Sequence, residues 1–293
     1  MGGGLRLRTH AASGRVPDVL FLLTRRAAAT RPTDRGAPSG RPFSVSVRAT
    51  GRPGTAPGPG SAPPALDGLG HRAILAGTKP EGHSLPRTIA LFGATGRAGG
   101  RVLARLLAGG DGVRALARDP ARLSPAPGLT VLAGDAGDPA AVAATLEGAD
   151  AAISCLGMTD ITRPSTQFSD AVRTIVAALR ARGPRRFVMI AGAGTLPHPE
   201  GGFRADRGTP AAFANVVAEH LRNFATLDAS GLDWTLLCPG NLIEGAARGH
   251  ETKIGDWPGQ PGRPTTYEDL GAALVGALDR PDWIGQRIGI ASL

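Results

Sequence analysis

Short apolar runs alternate with longer amphipathic stretches from residue 87 to the carboxyl end. RTIALFG (87–93), GVRALAR (112–118), LTVLAGD (129–135), DAAISCLG (150–157), RRFVMIAG (185–192), LDWTLLCPG (232–240) and GQRIGIA (285–291) read as strands. Between them lie helical patterns. Ala98, Val102, Leu103, Leu106 and Leu107 mark one apolar face. PAAVAATLEGA (139–149), FSDAVRTIVAALRARG (168–183), AAFANVVAEHLRNFATLDASG (211–231, closed by Gly231) and residues 267–279 supply the other helices. Strand–helix alternation of this kind predicts βαβ units, hence an α/β, Rossmann-type doubly wound parallel sheet in a single domain over 87–293. The polar, Gly/Pro-rich TLPHPEGGFRADRGTP (195–210) reads as a long loop. It is either a lid carrying His198 and Glu200 over a ligand or a plain surface connection.

Before residue 87 the periodicity stops. Residues 1–86 hold 14 Gly and 11 Pro, with RPGTAPGPGSAPPALDG as the clearest low-complexity tract. So little apolar area cannot offset the entropy of ordering, so a disordered N-terminal leader is expected. It carries 12 Lys+Arg against 4 Asp+Glu, while the remaining 207 residues carry 21 against 20. Nearly all of the net charge of +9, +8 of it, thus sits in the leader, and a nucleic-acid role would rest on that segment alone. An organelle transit peptide, a flexible bacterial tail and an over-extended gene start all fit it. The first suits its Arg-rich, acid-poor composition and RPFSVSVRAT (41–50); the 31 Arg against 2 Lys also suit a GC-rich coding sequence. VLFLL (19–23) is far too short to span a bilayer, and no other segment qualifies. Cys155 and Cys238 have neither CxxC nor metal spacing and read as buried free thiols of a reducing compartment. The expected setting is the cytoplasm, or a plastid or mitochondrion if the leader is a transit peptide. No nucleic-acid, membrane or metal partner is expected.

One stretch carries chemistry. In ALFGATGRAGGRVL (90–103), glycines stand at 93, 96 and 99, after a strand and at the start of a helix. In that context Gly93 permits a tight turn, Gly96 lets the backbone approach a pyrophosphate, and Gly99 allows helix to pack on strand. The helix N-terminus then faces the anion. No Gly-Lys-Ser/Thr follows, so this is not a Walker loop. Strand two ends in ALARDPARL, with Arg118 lying 22 residues past Gly96 and Arg122 one turn further. A carboxylate at this place selects NAD, whereas arginines bind a 2′-phosphate through charge-assisted bonds. NADPH is therefore favoured, and Asp119 leaves NADH open. Gly134 and Asp135 end strand three at the adenine edge, and SCLG (154–157) ends strand four at the crevice.

GATGRAGG, ARDPARL, VLAGD, SCLG and EHLRNFATLDASGLDWTLLCPG together resemble the atypical short-chain dehydrogenase/reductases of the NAD(P)H-binding, NmrA-like kind. The nearest resemblance is to the biliverdin-IXβ reductase/flavin reductase branch, over residues 87–293. That branch uses NADPH to reduce flavins, and in some members tetrapyrroles or quinones. By position, the resemblance implies that Gly93, Thr95, Gly96, Arg97 and Ala98 hold the pyrophosphate. Arg118 and Arg122 would hold the 2′-phosphate, and Asp135 and Ala136 would border the adenine. Leu156, Gly157 and Met158 would flank the nicotinamide ribose, with Pro239 and Asn241 by the nicotinamide and His220 beside the cofactor. One position departs: where the family presents a serine after strand five, this chain has Gly192, with Thr195 nearby.

Counting excludes the Tyr-x-x-x-Lys arrangement of classical short-chain dehydrogenases. Tyr267 is the only tyrosine, Lys79 and Lys253 are the only lysines, and neither follows the tyrosine by four. Flavins and quinones accept hydride at conjugated positions and can take a proton from solvent, so such acceptors suit a site without a dedicated acid. His220 shares a helical face with Phe213, Val217, Phe224 and Leu227, which predicts that it points inward. It is either an acid or a structural histidine bonded to a carbonyl or a cofactor hydroxyl. The expectation is an NADPH-dependent reductase of a small conjugated acceptor, working as a monomer or weak homodimer. The alternative is a non-catalytic dinucleotide-binding redox sensor of the NmrA type.

Overall fold

The computed structural model describes residues 86–260 and 262–293, so the expected leader falls outside the described residues but for Pro86. Ten strands and five helices follow in chain order. They begin β1 (Thr88–Phe92), α1 (Arg97–Ala108), β2 (Gly112–Ala117), β3 (Leu129–Ala133), α2 (Pro139–Leu146), β4 (Ala151–Ser154) and α3 (Gln167–Arg182). They continue β5 (Arg186–Ile190), α4 (Ala214–Asp228), β6 (Asp233–Pro239), β7 (Leu242–Ile243), β8 (His250–Ile254), β9 (Thr265–Thr266), α5 (Tyr267–Ala277) and β10 (Gln286–Ser292).

The main sheet has the order β3-β2-β1-β4-β5-β6-β10-β8. Its middle strands are apolar throughout because both faces are covered, as parallel sheets require. Side chains alternate between the two layers. Ile89 and Leu91 of β1 join Val102, Leu106, Leu270 and Leu274 beneath α1 and α5. Ala90 and Phe92 join Val142, Phe168, Val172, Ile175 and Leu227 beneath α2, α3 and α4. The strand order reverses between β1 and β4, and crevices in open α/β sheets form outside the strand ends at such a point. The Cys155 amide donates to the Phe92 carbonyl at 2.8 Å, which brings the segment after β4 against the glycine loop after β1.

The sheet is not wholly parallel, as the sequence pattern implied. An eighth strand, β8, pairs antiparallel with β10, and β7 pairs with β9 in a separate two-stranded ribbon. HETKI at an edge has no apolar period to betray it, since an edge strand is stabilised by its partner's backbone. The fourth helix also differs from expectation. A 3-10 turn over Ala211–Phe213 leads into the α-helix at Ala214, and Phe213, placed by the pattern on the inward face, is 51% exposed. The deepest positions are Glu219, Asn223 and Leu227, a stripe at four-residue spacing.

Glu219 is fully buried yet satisfied. Its Oε2 accepts the Ser169 amide at 2.8 Å, and its Oε1 accepts the Ser169 hydroxyl at 2.9 Å and the Arg222 guanidinium at 2.6 Å. This carboxylate fastens α4 to the start of α3. Glu219→Ala strands those donors and is expected to cost about 2–4 kcal/mol, read as a lower urea midpoint at unchanged slope. Ser169→Ala keeps the backbone donor and should cost about 1 kcal/mol. Equal losses in the two variants would refute the fastening role.

Candidate functional site

Gly93 leaves β1 at φ +85°, a conformation that a side chain disfavours, and a Cβ there would stand 2.9 Å from the Cys155 carbonyl. The turn closes with the Gly96 amide donating to the Gly93 carbonyl at 3.1 Å. Gly99, in the first turn of α1, lies directly on that carbonyl: a Cβ would overlap its oxygen and stand 2.7 Å from its carbon. Gly96 is the N-cap of α1, and no side chain caps the helix or places an acid in its first turn. Helix geometry leaves those first amides without an intrahelical acceptor, so the terminus is electropositive and uncompensated.

A cavity of about 370 Å³ opens in front of this terminus. It brings together nine of the residues the resemblance assigned to the cofactor, Gly93, Thr95, Gly96, Arg118, Asp135, Ala136, Leu156, Gly157 and Met158, and with them Gly134 and Cys155. Arg122 lies beside it, donating from Nη2 to the Thr95 carbonyl at 3.3 Å. Asp119 accepts the Ala121 amide at 3.2 Å, so its carboxylate serves as the cap of the turn Pro120–Arg122. Arg97 is directed elsewhere. Its guanidinium stands 4.6 Å from the ring centre of Tyr267 and 3.9 Å from Glu244, and it does not line the cavity. Ala98 and Gly99 are buried behind the loop.

His220, Pro239 and Asn241 do not line the cavity either. Phe168 connects the two regions: it lines the cavity, and its ring meets His220 edge-on, with centres 5.5 Å apart at 87°. A Cβ on Gly192 would stand 3.1 Å from His220 Cδ2 and 3.6 Å from Nε2. The imidazole therefore takes the space beside β5 into which a serine side chain would project. Thr195 does not replace that hydroxyl, because it is fully buried, donates to the Gly192 carbonyl at 2.7 Å and faces Cys238 Sγ at 3.3 Å. Burial pushes the Cys238 thiol up to about 12, so it is not a nucleophile at neutral pH.

The 195–210 segment is pinned down at several points. Pro197 bridges Phe203, Arg204 pairs with Asp256, and the Arg287 guanidinium lies over Phe203 and Phe224 while donating to the Thr195 carbonyl at 2.7 Å. Two features had escaped sequence reasoning. The segment between β4 and α3 lines the cavity through Thr159, Asp160, Arg163 and Ser165. Its length at the carboxyl edge of the sheet was the available signal. Trp257 lies on Gly240, where a Cβ would stand 3.0 Å from Cζ2, and so backs the Pro239–Asn241 turn. A contact between positions so distant from any shared period leaves no local signal.

Residues 93–281 match the family described as NAD(P)H-binding. Among solved structures, an exported-protein candidate from Burkholderia pseudomallei is 31% identical, covering 70% of this chain and 99% of its own at a TM-score of 0.60. An anaerobilin reductase from Escherichia coli O157:H7 is 26% identical over 70% of this chain and 97% of its own, with a TM-score of 0.57. An NADH-flavin reductase candidate from Streptococcus pneumoniae shares the fold at a TM-score of 0.61, with 19% identity over 71% of this chain and 100% of its own. No helix among the described residues is long and apolar enough to cross a membrane.

Burial holds the His220 imidazole down at about 4, against an ordinary 6.5, with Glu219 opposing the shift. The unfolded chain takes up this proton as pH falls through 6.5, and the folded chain does so only near 4. Stability is therefore lost across that window. His220→Gln should lose about 2 kcal/mol less than the parent between pH 7 and 4.5 in urea titrations. Identical losses in both chains would contradict a buried neutral imidazole.

Proposed function

Because the chain belongs to the NAD(P)H-binding family, matched over residues 93–281, we propose that it is an NADPH-dependent reductase of flavins, quinones or related conjugated acceptors. The observation that carries this reading is the pairing of an uncapped, glycine-bounded helix terminus on a large cavity with a neutral imidazole on α4 beside the end of β5, behind the cavity-lining Phe168. The glycine geometry and the free amides fit a pyrophosphate. When bound, the nicotinamide supplies the hydride.

The chain's own residues then have distinct tasks. Arg118 on the cavity wall and Arg122 beside Thr95 supply two guanidinium groups for a 2′-phosphate, and Asp119 is engaged in capping. That arrangement favours NADPH over NADH. Phe168 contributes an apolar wall between the cavity and His220. His220, neutral at physiological pH, is a poor proton donor, and its fitting role is to polarise an acceptor through an N–H hydrogen bond while solvent provides the proton. Tyr267 is buried under Arg97 at the start of α5 and takes no part.

The second reading, a dinucleotide-binding redox sensor, is favoured by one specific observation. Gly192 brings no hydroxyl, and Thr195 has already spent its own. The two readings part in a simple assay. The full-length chain should oxidise NADPH steadily once FMN, FAD or a quinone is present; tight NADPH binding without turnover on any of them would transfer the conclusion to the sensor. Arg118→Ala should raise the Kd for NADPH by roughly 10- to 100-fold and leave that for NADH nearly unchanged in fluorescence titrations. Equal weakening of both would exclude a 2′-phosphate contact.

A further inference from the structure

Two neighbouring side chains on α4 hold buried polar atoms with no partner among the described residues. One is His220, through Nδ1; the other is Asn223, only 1% exposed, through both Nδ2 and Oδ1. Buried amides are almost always hydrogen-bonded, so an Asn with both ends unpaired at such depth calls for a reason. Residues three apart on a helix are surface neighbours, with Cβ atoms about 5–6 Å apart, so the unpaired atoms of 220 and 223 share one stripe. The other surroundings of the imidazole are accounted for. Phe168 meets it edge-on, Gly192 lies against its Cδ2–Nε2 side, and the adjacent carboxylate of Glu219 is spent on Ser169 and Arg222.

We infer that Asn223 is a positioning residue for His220. The two are not bonded directly in the structure, so its amide N–H acts across one bound water that donates to Nδ1, and the imidazole proton is held on Nε2 at the end of β5. The donor end of the amide is assigned on the reading above, in which Nε2 must carry the proton that polarises an acceptor. A neutral imidazole has one donor and one acceptor nitrogen, and the partner of the second decides which is which. Leucine at 223 would fill the same space and give the helix an apolar core position. An amide there costs stability unless it is used, and holding one bound water is an ordinary way to use it.

The test is the tautomer of His220 in the full-length chain labelled with 15N-histidine, read from two-bond nitrogen–proton correlations. The parent should show the proton on Nε2. Asn223→Asp replaces the donor with an acceptor and should place a proton on Nδ1, and Asn223→Leu should abolish the preference. Retained NADPH binding in each variant shows that the fold survives. In the same variants, kcat with a conjugated acceptor should fall on the order of a hundredfold at little-changed KM, the low end of what one oriented hydrogen-bond donor to developing charge contributes. An unchanged Nε2 tautomer in both variants would overturn the positioning role. A tautomer that moves while kcat does not would uphold it and overturn the part given to His220 in reduction.

Discussion

A helix can approach a strand as closely as α1 approaches β1 only where neither bears a side chain at the crossing. Gly99 lies against the Gly93 carbonyl with no room for a Cβ, and Gly93 itself turns at φ +85° beneath the Cys155 carbonyl. This three-way approach of backbones fixes much else. It sets α1 so that Val102 and Leu106 reach the layer shared with Leu270 and Leu274 of α5. It also aims the uncapped end of α1 at the cavity between the β1 and β4 connections, where the strand order reverses. An electropositive terminus thus stands where the sheet opens.

The glycine-loop half of the candidate site was legible in the sequence as a structure because its parts are local. A strand, a glycine loop and a helix follow one another between Thr88 and Ala108, and the cavity lining at 116–118, 134–136 and 155–158 comes from the ends of strands that alternation located. The misses have a common physical origin. HETKI forms an edge strand through its partner's backbone and has no apolar face to announce it. Phe213 satisfied the helical period yet lies before the helix and in solvent, while Glu219 and Asn223, polar by composition, are the buried positions. Periodicity counts apolar residues and so cannot see a buried carboxylate whose partners are the amide and hydroxyl of Ser169, 50 residues away.

The His220 end of the candidate site is organised by contacts of that second kind. Arg287 stacks on Phe203 and Phe224 and bonds the Thr195 carbonyl, Arg204 is tied to Asp256, and Trp257 lies over Gly240. Together they hold the ends of β5 and β6 in place. Gly192 fits the same picture, since any side chain there would press on the imidazole. The absence of a hydroxyl and the presence of a packed, neutral histidine are two sides of one arrangement. On the reductase reading proposed above, it trades a protein proton donor for a fixed hydrogen-bonding edge, which would suit acceptors that draw their proton from water.

If the glycine cradle fixes the dinucleotide in one orientation toward the His220 end, only one of the two C4 hydrogens of NADPH is in position to leave. The direct measurement is the mass of the NADP⁺ recovered after turnover of the full-length chain with NADPH deuterated at one or the other C4 position, using FMN or a quinone as acceptor. The account predicts that one label is lost and the other retained in full. Loss of both labels in mixed proportion, or no turnover of either, would contradict it.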